Sequence, residues 1–114
     1  MSTLSTHVLD TQSGRPAAGV PITLETQTSS GEWRELARGT TNADGRVRDF
    51  LPAGTRLEPG TYRMTFHTGE YFRANSLKGF YPYVPVVFEL ASAEEHYHVP
   101  LLLSPFGFST YRGS

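Results

Sequence analysis

With 114 residues, 38% of them hydrophobic, and seven Phe, six Tyr and one Trp, the chain can fill one small core. That length suits a single domain over residues 1–114 rather than two. A net charge of −1 gives no electrostatic basis for binding nucleic acid or an anionic membrane, which leaves small molecules and proteins as partners. Cysteine is absent, which excludes disulfides, thiolate nucleophiles and Cys-based zinc sites. No stretch approaches the roughly 20 apolar residues of a membrane span, and the N-terminus lacks a basic region followed by an apolar run. The expectation is a soluble, cytoplasmic protein.

In chain order, Ser5 to Asp10 alternates as a first strand, with Thr6 and Val8 on one side and Ser5, His7 and Leu9 on the other. Gln12 to Pro16 reads as a turn. Val20 to Thr28 follows with Val20, Ile22 and Leu24 in register, and Ser29-Ser30-Gly31 turns it into a strand from Trp33 to Thr40. Thr40 to Gly45 is rich in turn formers, and Asp44-Gly45 suits a turn with positive φ, which predicts a short strand from Arg46 through Phe50. Pro52, Gly54 and Pro59 make Leu51 to Pro59 a loop. Gly60 to Thr68 is a clear strand, with Tyr62, Met64 and Phe66 alternating against Arg63, Thr65 and His67. Thr68 is placed to cap a short helix through Ala74, with Glu70 near its positive end and Asn75 at its close. Val86, Phe88 and Leu90 then mark another strand.

The chain finishes on two strands and a tight turn. Tyr97, Val99, Leu101 and Leu103 form a core face, with His96, His98, Pro100, Leu102 and Ser104 opposite. Ser104-Pro105 and Gly107 supply the turn, and Tyr111-Arg112-Gly113-Ser114 ends the sequence with a guanidinium beside a carboxylate. Seven to eight short strands bounded by eleven Gly and eight Pro argue for an all-β, antiparallel sandwich with one short helix.

Alone, a strand histidine is a partly exposed surface residue. His7 and His98, however, lie on strand faces that also carry Leu9, Pro100 and Leu102, too apolar for plain solvent, which predicts a second buried or subunit-covered surface. Imidazole, with an ordinary pKa of about 6.5, suits proton transfer to and from water near neutral pH. Arginine offers a planar fork of donors for a carbonyl or an oxyanion. His67 matches no motif and reads as solvated. His96 shares a face with His98, but a third metal ligand at suitable spacing is missing and no His-Glu-x-x-His pattern exists, so no metal or other cofactor is expected. Serine-hydrolase elbows, phosphate loops and dinucleotide fingerprints are also missing.

Three stretches carry a family resemblance: His7-Val8-Leu9-Asp10-Thr11 with Gly14 to Ala17, Thr41-Asn42-Ala43-Asp44-Gly45-Arg46, and the closing Tyr111-Arg112-Gly113-Ser114. Together they resemble the transthyretin-like family, and the ending is similar to that of its enzyme branch, the 5-hydroxyisourate hydrolases. The resemblance implies a prealbumin-like sandwich, assembly as a homotetramer around a central channel, and cofactor-independent opening of the lactam of 5-hydroxyisourate in urate degradation. The product implied is 2-oxo-4-hydroxy-4-carboxy-5-ureidoimidazoline. It implies catalytic roles for His7, Arg46 and His98, with Tyr111, Arg112, Gly113 and Ser114 completing the substrate pocket. A peroxisomal home occurs in the family, but Arg-Gly-Ser is not a Ser-Lys-Leu-type address. A transthyretin-type carrier of a hydrophobic hormone and a purely structural β-sandwich are the alternatives; in the carrier branch the two histidines and the Tyr-Arg-Gly-Ser ending are replaced.

Overall fold

A computed structural model describes residues 3–113. Its elements in chain order are β1 (Thr3–Asp10), β2 (Arg15–Pro16), β3 (Pro21–Gln27), β4 (Trp33–Thr40), β5 (Gly60–Phe66), α1 (Thr68–Ala74), β6 (Val84–Leu90), β7 (His96–Ser104) and β8 (Gly107–Thr110). They form two four-stranded sheets, ordered β2-β1-β7-β8 and β4-β3-β5-β6. Alternation decides which side chains meet between the sheets. Leu4 and Val8 of β1 and Val99, Leu101 and Leu103 of β7 point inward, against Ile22 and Leu24 of β3 and Met64 and Phe66 of β5. The sandwich and its apolar rows thus follow the predicted pattern. Among the described residues no helix is long and apolar enough to cross a membrane.

Four local features depart from the expectations. The pairing of β1 with β7 is parallel, so one sheet is mixed although every other strand pair is antiparallel. Arg15–Pro16, read as turn, pairs with Asp10 and Leu9 as the two-residue edge strand β2. Arg46 to Phe50 is a turn instead of a strand. The Asn42 side chain is the physical reason: its Oδ1 accepts from the Asp44 and Arg46 N–H groups at 2.9 and 3.2 Å, taking donors that a sheet ladder would have used. Asp49 then adopts a positive φ of 52°. Finally, Thr68 begins the helix but does not cap it. His67 holds the N-cap position without a side-chain bond, while the buried Thr68 hydroxyl donates to the Tyr81 carbonyl at 3.3 Å and the Gly69 N–H to the Pro82 carbonyl at 2.9 Å. The 81–82 segment does the work assigned to a cap. Asn75 closes the helix as predicted.

The helix is tied to the opposite sheet by one buried polar contact. The Tyr71 hydroxyl donates to Asp10 Oδ2 at 2.7 Å, and Asp10 Oδ1 accepts from the Gln12 and Ser13 N–H groups at 3.0 and 3.3 Å. Asp10 is 3% exposed, so its carboxylate depends on these donors. Burial first, then the hydrogen bond to Asp10 and its charge, push the Tyr71 phenol up to about 12, so it remains a donor throughout the working pH range. Tyr71→Phe is expected to destabilise the protein by about 1.5–3 kcal/mol, the scale of a hydrogen bond to a charged group. Urea unfolding at fixed protein concentration measures it; a midpoint equal to that of the unmodified chain would count against the tie.

Candidate active site

The parallel register of β1 and β7 places Ser5 beside His98 and His7 beside Pro100. Because both strands send alternate side chains outward, Ser5, His7 and Leu9 share one outer face with His98, Pro100 and Leu102. His7 and His98 are half-buried on this face and Pro100 is buried. Two residues predicted from opposite ends of the chain are therefore neighbours on adjacent strands.

Arg46 arrives through the turn that replaced the expected strand. Gly45, with φ of 74°, packs so closely on β1 that a Cβ there would collide with the Val8 carbonyl oxygen and lie 3.3 Å from His7 Cδ2. The Val8 N–H donates to the Gly45 carbonyl at 2.8 Å. Clamping the turn at Gly45 carries the next residue, exposed Arg46, to the histidine face.

The end of the chain holds His98 from the other side. Gly113 bridges to His98, its N–H donating to the His98 carbonyl at 2.8 Å. A Cβ on Gly113 would sit 2.5 Å from His98 Cδ2 and 3.2 Å from Pro100 Cγ, so the backbone lies against the imidazole where no side chain fits. Arg112 turns elsewhere: its guanidinium pairs with Glu95 at 3.3 Å and covers the Tyr97 ring, 4.7 Å from the centroid. Tyr111 is exposed, and Ser114 lies outside the described residues. The structure thus brings together His7, Arg46, His98 and Gly113, and leaves Tyr111 and Arg112 at the rim.

Sequence reasoning passed over one participant. Ser5 Oγ lies 2.8 Å from His98 Nδ1 and 3.3 Å from His96 Nε2, and His96 Nδ1 lies 2.5 Å from Thr3 Oγ1. The available signal was the shared alternation face of Ser5 and His7, which means little until the neighbour of β1 is known. Burial, then the positive charge of Arg46, then His96 and His7, lower the proton affinity of His98, against a smaller opposing contribution from the Ser5 backbone. His98 is held as a neutral imidazole where an ordinary one would begin to protonate. Chemically the face offers two imidazoles able to transfer protons and one permanent cation, beside the apolar Leu9, Pro100 and Leu102.

The sequence profile of the HIUase/Transthyretin family matches residues 4–113. The chain belongs to that family. It is 51% identical to the 5-hydroxyisourate hydrolase 2 of Rhizobium meliloti (strain 1021) over 116 aligned positions, covering 97% of this chain and 95% of that one. The solved 5-hydroxyisourate hydrolase of Klebsiella pneumoniae superposes with a TM-score of 0.85 at 38% identity, over 100% of both chains. Sea bream transthyretin in complex with thyroxine gives 0.90 at 31% identity, over 96% of this chain and 93% of that one. An HIUase/Transthyretin backbone therefore serves both proteins named as enzymes and one that holds thyroxine, so it is the site that must discriminate.

His98 titration provides a direct check of the site's electrostatics. Where its folded pKa is lowered, the unfolded chain binds a proton that the folded chain does not, between the ordinary imidazole value near 6.5 and the lower folded one. Stability should fall as pH drops through that window and be insensitive to this group above it. An NMR titration of the imidazole protons should give His98 a midpoint below 6.5, the ordinary value; a midpoint at or above it would contradict the geometry.

Proposed function

We propose that this chain is a single transthyretin-like domain, residues 1–114, that hydrolyses 5-hydroxyisourate to 2-oxo-4-hydroxy-4-carboxy-5-ureidoimidazoline without a cofactor. The observation that carries the reading is the convergence of His7, Arg46 and His98 on one outer sheet face. Enzymes of that name among the family's members support the substrate. A hormone carrier would want an apolar groove, and two imidazoles with a guanidinium make a poor one.

In the proposed reaction His98, kept neutral, takes a proton from water as the oxygen attacks the lactam carbonyl. Arg46 stabilises the oxyanion and orients the neighbouring carbonyls. The C–N bond then breaks and the departing nitrogen receives a proton from the His7/His98 pair. The new carboxyl group ionises, releasing one proton per turnover at neutral pH. Tyr111, Arg112, Gly113 and Ser114 close the pocket over the substrate. For Arg112 this requires leaving Glu95, an exposed pair worth no more than about 1 kcal/mol, and the Tyr97 ring that it covers.

The test is to mix the protein with freshly generated 5-hydroxyisourate and follow its ultraviolet decay. Decay well above the spontaneous rate is expected, and a rate equal to the spontaneous one would refute the reading. His98→Asn should cost about 10²–10⁴-fold in kcat with the fold intact, the range for general acid–base catalysis. Arg46→Lys keeps the charge but loses the fork and should also be strongly impaired. Wild-type kinetics in either variant would remove that residue from the mechanism.

The assembly proposed is a homotetramer with two-fold interfaces. Two surfaces support it. One is the face of His7, Leu9, Pro100 and Leu102, which would be covered by another copy to enclose the site. The other is the side where edge strands β6 and β8 lie, which carries an aromatic series: Phe80 against Tyr81 at 5.0 Å and Tyr81 against Phe108 at 5.2 Å between centroids, with Phe80 69% and Phe106 71% exposed. Unpaired strand edges beside exposed aromatics are surfaces that association buries. Multi-angle light scattering should give four times the chain mass; a fully active monomer would overturn the channel arrangement.

A further inference from the structure

Behind His98, on the same outer face, lies a line of three polar side chains, Thr3, His96 and Ser5, that the mechanism above does not use. Thr3 pairs with His96 and Ser5 with His98 in the β1 and β7 register, so the two hydroxyls alternate with the two imidazoles. The links run from Thr3 Oγ1 to His96 Nδ1 at 2.5 Å, from His96 Nε2 to Ser5 Oγ at 3.3 Å, and from Ser5 Oγ to His98 Nδ1 at 2.8 Å. His98 is half-buried at one end, and His96 is exposed at the other.

Each hydroxyl donates one hydrogen bond and accepts others, while a neutral imidazole has one donor and one acceptor nitrogen. The line therefore has two self-consistent arrangements. In one, Thr3 donates to His96 Nδ1, His96 Nε2–H donates to Ser5, and Ser5 donates to His98 Nδ1, which puts the His98 proton on Nε2. In the other every bond is reversed. His98 then carries its proton on Nδ1 and donates it to Ser5, so that Nε2 is a free base.

We infer that Ser5 and His96 are positioning residues for His98, which hold its proton on Nδ1 and so leave Nε2 as the free base. This rests on the reading of His98 as the acid–base group in hydrolysis. While His98 Nε2 takes a proton from water and gives it to the departing nitrogen, its Nδ1–H stays donated to Ser5 Oγ, so each turnover returns His98 to the same neutral tautomer. One proton enters and one leaves at Nε2, and nothing is oxidised or reduced. The other groups acting on His98 are Arg46 from the Asn42–Arg46 turn, His7 from β1, and the Gly113 backbone packed on its ring. None of them is placed to bond His98 Nδ1, which already has Ser5.

Holding the strands together does not account for the line. The eight-residue ladder of β1 and β7, with the buried Thr6 hydroxyl on the Val99 carbonyl at 2.7 Å, already does that. Two of the three links join exposed side chains, where water competes for the same groups.

The experiment uses the full chain as Ser5→Ala, Ser5→Thr and His96→Phe, with two readouts. Long-range ¹H–¹⁵N NMR of the unliganded protein reports which His98 ring nitrogen carries the proton. Steady-state kcat and KM against pH, with 5-hydroxyisourate, report its use. Ser5→Ala should change the His98 ring-nitrogen pattern and lower kcat about 10–100-fold with KM unchanged, the scale seen when an outer partner orienting a functional imidazole is removed. Ser5→Thr should restore both, and His96→Phe should lower kcat by less than Ser5→Ala. The inference is overturned if either the ring-nitrogen pattern or kcat is unmoved in Ser5→Ala, or if Ser5→Thr is as impaired as Ser5→Ala. An unmodified chain that leaves 5-hydroxyisourate to decay spontaneously sinks the functional reading instead, and the ring-nitrogen measurement still decides whether Ser5 sets the His98 tautomer.

Discussion

Everything at the site depends on the parallel pairing of β1 with β7. It joins residues 93 positions apart, Ser5 to His98, and no local turn makes it. Loop-closure entropy rises slowly with length, by only about 0.6 kcal/mol per doubling, so a burial-driven pairing of this kind is affordable. Register matters more than distance. A slip of one residue on β7 would turn Tyr97, Val99 and Leu101 outward and His98 into the core. The inner rows, Thr6 and Val8 against Val99 and Leu101, thus determine which polar groups meet on the outside. Apolar packing selects the register, and the register assembles the chemistry.

Much of this was legible in the chain because period-two alternation is a local signal. Tyr97, Val99, Leu101 and Leu103, or Tyr62, Met64 and Phe66, announce a buried face without reference to partners, and all of them are buried. Where local and non-local physics compete, the reading fails. Arg46 to Phe50 alternates tolerably, but the Asn42 side chain takes the backbone donors and makes a turn. Arg15 and Pro16 look like turn residues and become an edge strand only because β1 has a free side. Thr68 has the right chemistry for a cap and is displaced from that role by a loop thirteen residues further on.

The candidate site divides along the same line. His7, Arg46 and His98 could be singled out because their side chains are rare in strands and turns of an otherwise apolar surface, and because family motifs mark them. The convergence of the three is a tertiary fact. Ser5 illustrates the difference: a serine on a strand carries no signal of its own, and its position between two imidazoles exists only once the neighbour and register of β1 are known. Two glycines show the converse. Gly45 and Gly113 have no chemistry, yet one brings the turn bearing Arg46 down onto β1 and the other lays its own backbone against His98. At each place the missing side chain is the functional feature.

A cation beside a proposed base looks at first like a conflict. Arg46 is the largest charge lowering the proton affinity of His98, and a weaker base is a poorer proton acceptor. The reaction proposed makes the arrangement coherent. With a normal affinity near 6.5, an imidazole would already be partly protonated near neutral pH before water attacks the carbonyl. Burial and Arg46 together delay that protonation, so that His98 waits in its neutral form and gains a proton only when the transition state supplies the compensating negative charge. At that moment the same guanidinium changes from a penalty on imidazolium to a partner for the oxyanion. One positive charge, placed by a glycine turn at the edge of β1, thereby serves both the resting state of the base and the transition state.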